Sequence, residues 1–220
     1  MLRRSFLARF SSVAAVVGFG HQAPPVQAPS AAPPATRPAS TFQPTRHEKD
    51  DWFDELPGQH RILLDSFMAP RFPEVVQFAG NTFSANKSDY GLTEKDLAVI
   101  MVVRHQTAPF AFNDAMWAKY GKAFSTRMEW VDPKTKEAPT TNLYNRQLTN
   151  LIKQGMQLAV CSLTTRAYTR ILAQQTGQTA EDLWKELTSN TLGNAHFVPA
   201  GVVAVTRGQE RGYRLVSVGG

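Results

Sequence analysis

The chain has 220 residues, 42% of them hydrophobic and 19% charged, enough for one sizeable core; this excludes wholesale disorder, collagen-like repeats and a miniprotein built on disulfides. The formal charge of +6 is uneven: residues 1–44 hold Arg3, Arg4, Arg9 and Arg37 and no acids, which leaves 20 basic against 18 acidic residues, or +2, for the remainder. That near balance offers no phosphate-neutralising surface, so nucleic acid is not an expected partner.

Residues 1–21 read as a signal peptide, with a basic start and an apolar run at 13–19 too short to span the hydrocarbon core of a bilayer. The string Arg3-Arg4-Ser5-Phe6-Leu7 resembles the twin-arginine (Tat) export signal of bacteria, with Leu2 where Ser or Thr is usual. An ordinary secretory signal or an amphipathic N-terminus is the alternative. Export in the folded state to the periplasm is the expectation. Cleavage would fall at Val26-Gln27-Ala28; an uncleaved leader would be the chain's only membrane contact. Seven of the 14 prolines lie in the first 44 residues, and residues 22–45 read as a Pro/Ala-rich tether of extended polyproline character.

From residue 46 onward, strand and helix patterns alternate. Residues 60–65 predict a strand and 73–87 a helix with apolar residues at helical spacing. The uninterrupted apolar run 97–103 predicts a strand buried on both faces and central in its sheet. Asn113 caps a predicted helix over 114–120 ended by Gly121, and Asn142 caps another over 143–154 ended by Gly155. Residues 122–141 break the rhythm and read as a surface insertion, with a turn at 130–136. A strand at 157–161 follows, then helices from Thr164 or Thr165 to 175 and from Thr179 to 188, and strands at 198–205 and 213–218. The pattern predicts an α/β/α three-layer sandwich around a mostly parallel five-stranded sheet.

Cys161 is the only cysteine, which rules out an intramolecular disulfide and a cysteine-rich zinc site. It closes a predicted strand just before a helix start, the edge of an open α/β sheet where ligands bind. Backbone N–H groups near Thr165 would favour a thiolate, the nucleophilic form of the side chain. The alternative is a buried cysteine that only fills space. His105 follows the central strand and should emerge on the same edge, preceded by Arg104; the pair would support charge or move a proton at sulfur. Arg104, Asn113, Thr164 and Thr165 are the residues expected to line a ligand crevice there. His21, His47, His60 and His196 are dispersed, and no H-x-x-x-H or H-E-x-x-H pair occurs, so no metal is expected. The absence of G-x-G-x-x-G, Walker and G-x-S-x-G patterns predicts no nucleotide cofactor and no serine nucleophile.

Taken in order, residues 98–103 with Arg104-His105, Asn113-Asp114 through Tyr120-Gly121, 142–152 with Gly155, Leu158-Ala159-Val160-Cys161 and Gly212-Tyr213 resemble the DsrE/DsrF-like family of sulfur-relay proteins over about residues 60–218. The resemblance implies a five-stranded α/β fold and assembly into trimers or hexamers. It also implies a cysteine at the position of Cys161 that carries a persulfide between partner proteins. Ser162 stands where glycine is common in the family, and the leader implies export where family members work in the cytoplasm. Two functions follow as expectations: an exported sulfur carrier using Cys161 and a thiol or persulfide partner, or a non-catalytic oligomeric domain that binds a small ligand or partner.

Overall fold

The computed structural model describes residues 43–218; the expected leader and most of the 22–45 tether lie outside the described residues. In chain order the elements are α1 (Trp52–Glu55), β1 (His60–Ser66), α2 (Phe72–Tyr90), β2 (Leu97–Val103), a 3-10 segment (His105–Ala111), α3 (Asp114–Met128), α4 (Asn145–Lys153), β3 (Gln157–Cys161), α5 (Ser162–Thr176), α6 (Ala180–Ser189), β4 (Ala195–Val198), α7 (Gly201–Glu210) and β5 (Arg214–Val218). The five strands are all parallel, in the order β4-β3-β2-β1-β5. Every parallel pair needs a crossover, and the crossovers cover both faces with helices. The architecture is a three-layer α/β/α sandwich.

β2 is the middle strand and all seven of its residues are buried. Its alternate side chains serve two cores. Val99, Met101 and Val103 join Leu64, Leu158 and Val160 against α2 to α6, in a core that includes Phe72, Phe110, Trp117, Phe124 and Tyr168. Ala98, Ile100 and Val102 join Leu63 and Ala159 in a smaller core closed by Phe53 of α1, Ala204 of α7 and Tyr213. The five helices of the first three crossovers, α2 to α6, therefore share a thick side, while the β4-to-β5 connection through α7 covers a thin one.

Several sequence expectations are corrected. The helix opened by Asn113 does not stop at Gly121 but runs to Met128, absorbing the first part of the expected insertion. Gly121 is a point of close approach: a β-carbon there would stand 2.0 Å from the Pro139 carbonyl oxygen. Asn142 is not the N-cap of α4, which is Tyr144. Its amide instead donates to the carbonyls of Phe110 and Phe112 at 2.8 Å, and its oxygen accepts from the Tyr144 amide at 3.0 Å. The strand expected at 198–205 is in fact β4 ending at Val198 and α7 beginning at Gly201. A run rich in valine reads as a strand by propensity, yet packing against the sheet decides for helix. α5 begins at Ser162, with Cys161 itself as the N-cap.

Candidate functional site

In the parallel register Asp65 pairs with Val102 and Val102 with Ala159. Arg104 and Cys161 each lie two residues further along their strands, so Asp65, Arg104 and Cys161 fall on the thin side of the sheet at its C-terminal edge. Local sequence brings β3 to an end here because Ser162 starts α5 at once, which leaves Cys161 in extended backbone (φ −70°, ψ 109°) with its sulfur over the first turn. The sulfur accepts hydrogen bonds from the Thr164 amide at 3.5 Å and from the Thr164 hydroxyl at 3.3 Å. That hydroxyl in turn accepts from the His105 amide at 3.2 Å. With its acceptor side engaged, the hydroxyl proton is directed at sulfur, and the unpaired N–H groups of the helix end favour negative charge in the same place. The residue is 5% exposed.

Arg104 is held from three directions. Its Nε and Nη2 donate to the two carboxylate oxygens of Asp65 at 2.8 and 2.9 Å, the bidentate geometry that a planar guanidinium prefers. The guanidinium carbon stands 4.6 Å above the Phe67 ring. The aliphatic stem lies against Gly201, where an added β-carbon would come within 2.6 Å of the Arg104 β-carbon. The Asp65 carboxylate holds the Arg104 guanidinium above its ordinary pKa, and burial opposes this. Thr107 ties the strand ends together, with its hydroxyl donating to the Ser66 carbonyl at 2.8 Å and lying 3.0 Å from the Ser66 hydroxyl.

The sequence-predicted residues divide accordingly. Cys161, Arg104, Thr164 and the backbone of His105 converge. His105 itself is exposed and sits in left-handed backbone (φ 51°), so its link to the sulfur runs through its amide and Thr164. Thr165 is buried, and its hydroxyl donates to the Cys161 carbonyl at 3.0 Å, inside the helix. Asn113 lies elsewhere: it caps α3 through the Met116 amide and donates to Asn190 at 3.2 Å. Asp65, Phe67 and Gly201 were missed from sequence. Asp65 carried one available signal, an acid directly after the apolar stretch Ile62-Leu63-Leu64 of its strand, and it is 4% exposed in the fold.

Thr164 also lines a cleft of about 270 Å³, together with His105, Gln106, Arg127, Glu129 and Tyr168. Burial pushes the Tyr168 phenol up, so it remains neutral at physiological pH. Wider depressions near residues 46–50 and along α4, about 570 and 660 Å³, contain no cysteine. Among the described residues no three His, Cys, Asp or Glu side chains cluster in a way that could hold a metal ion, and no helix is long and apolar enough to cross a membrane.

No protein-family model matches the chain, and no curated protein matches it. Among solved structures, a protein of unknown function from Methanobacterium thermoautotrophicum aligns with 71% of this chain and 96% of its own, at 15% identity and a TM-score of 0.42.

Proposed function

We propose that the protein is an exported sulfur carrier of the sulfur-relay type, with Cys161 as the residue that holds the transferred sulfur. The observation that carries this reading is the environment of one sulfur atom: two hydrogen bonds from Thr164 at a helix N-terminus, beside a guanidinium locked by Asp65. Such donors stabilise an anionic sulfur both before and after loading. The Cys161 thiolate attacks the outer sulfur of a donor persulfide. The donor's S–S bond breaks with its electron pair leaving on the donor thiolate, a new S–S bond forms to Cys161, and the persulfide's proton passes to the departing thiolate. Transfer to an acceptor thiol reverses these steps, so sulfur moves with no net oxidation. The leader pattern supports the periplasm as the place of action, and the family resemblance supports a homo-oligomeric carrier with a thiol partner protein.

The 5% exposure of Cys161 favours a second reading, a non-catalytic oligomeric binding domain in which this cysteine only packs. Alkylation at neutral pH separates the two. A carrier labels at Cys161 in the native state with a small reagent, more slowly with a bulky one, and gains the mass of one sulfur atom when treated with a persulfide. Replacing the hydroxyl in Thr164→Val slows native labelling by about tenfold, the order expected for losing a hydrogen bond to a charged group. Labelling that requires denaturant, with no sulfur gained, would establish the packing role instead.

A further inference from the structure

The cleft beside Thr164 contains two ions of opposite sign, Arg127 and Glu129. They stand two residues apart at the end of α3, and neither joins an ion pair among the described residues. Arg127 is instead placed 5.6 Å over the Tyr168 ring, which forms an apolar and neutral part of the wall. The Gln106 side-chain oxygen is already engaged by the Ala69 amide at 3.2 Å, so the two ions are the strongest free recognition groups. At about 270 Å³ the space lies just under the roughly 300 Å³ at which drug-sized pockets begin and suits a molecule of amino-acid size. A compact dianion such as thiosulfate would meet Arg127 but would also face the Glu129 carboxylate, which disfavours it. A zwitterion satisfies both.

We infer that this cleft seats the α-amino and α-carboxylate groups of an amino-acid-derived persulfide, the carboxylate on Arg127 and the ammonium on Glu129, with Thr164, which hydrogen-bonds the Cys161 sulfur, in its wall. The inference rests on the carrier reading for the transfer step, while the seat itself can be measured without transfer.

The test uses purified protein and two readouts. Intact mass follows sulfur loading of Cys161 by cysteine persulfide, its methyl ester, its N-acetyl derivative and thiosulfate. Titration with S-methylcysteine, which transfers no sulfur, follows binding through the NMR signal of the Thr164 amide. The wild-type protein loads from cysteine persulfide about fivefold faster than from the ester or the N-acetyl form, the scale of a partly exposed ion pair. Arg127→Gln removes the disadvantage of the ester alone and Glu129→Gln that of the N-acetyl form alone; both sites are exposed, so each variant folds. Equal loading by all three persulfides, or fastest loading by thiosulfate, overturns the inference while leaving the carrier intact. S-methylcysteine binding that depends on both residues with no loading by any donor leaves the seat standing and overturns the carrier; absence of both binding and loading overturns both.

Discussion

Asp65 and Asp54 each gather arginine on the thin side of the sheet, in different ways. Asp65, at the C-terminal edge, holds one guanidinium through bonds of 2.8 and 2.9 Å, with its own side chain 6% exposed. Asp54, on α1, is 36% exposed and shared among Arg46, Arg61 and Arg211, the last two at 3.3 Å. Arg211 is buried there with two of its nitrogens lacking a hydrogen-bond partner. One carboxylate fixes the direction of a charge; the other neutralises several charges and ties α1, β1 and the end of α7 together. A guanidinium held in both position and orientation can serve a neighbouring sulfur, whereas a carboxylate shared among three guanidiniums serves mainly as a brace.

Breaking the ordered pair has the largest expected effect. Asp65→Asn leaves Arg104 without its buried counter-charge and lowers unfolding free energy by about 3–5 kcal/mol, read by denaturant titration; native alkylation of Cys161 changes with it as Arg104 loses its anchor. Gly201→Ala follows at about 1–3 kcal/mol, because its methyl must displace the Arg104 stem or the start of α7. In that variant a crystal structure would show Arg104 moved off Asp65. The exposed arm of the brace is the weaker contact: Arg46→Gln costs about 1 kcal/mol or less, and added salt erodes the difference between variant and wild type, whereas salt leaves the effect of Asp65→Asn nearly unchanged.

The smallest effect is on pH dependence next to the brace. The His196 ring stacks on Trp52 of α1 at 4.1 Å and 6°, with Nε2 3.1 Å from the Gln157 side-chain oxygen. Burial holds the His196 pKa below its ordinary value, with Glu55 opposing. The unfolded chain therefore binds this proton more readily than the folded one. Stability is fully present above the unfolded pKa near 6.5 and declines as pH falls through it toward the lower folded value. A His196→Gln variant should show a flatter melting temperature between neutral and mildly acidic pH, while changes at Asp65 leave that slope untouched.

Much of the fold was legible from residues alone. The seven apolar residues from Leu97 to Val103 could not be an exposed or amphipathic strand, and they occupy the middle of the sheet. The expectation failed where local signals conflict: Gly121 interrupts a helix by propensity but sits where Pro139 passes, and the valines of α7 favour a strand by propensity but wrap as a helix over the thin core. At the site, Cys161 and Arg104 were visible as residues following apolar strands. The role of Asp65 was not, since it lies 39 residues from its arginine and only the register of β1 against β2 brings them together.

Alternation of hydrophobic runs with helical periods determined by itself that this chain builds a parallel sheet between two layers, because apolar residues at period two and near period four have few other ways to leave water. Which side chains meet at the sheet's edge was decided only by tertiary structure. A one-residue shift of register would turn Arg104 and Cys161 to opposite faces, and nothing within either strand specifies that register apart from the packing of the strands against each other and against α7.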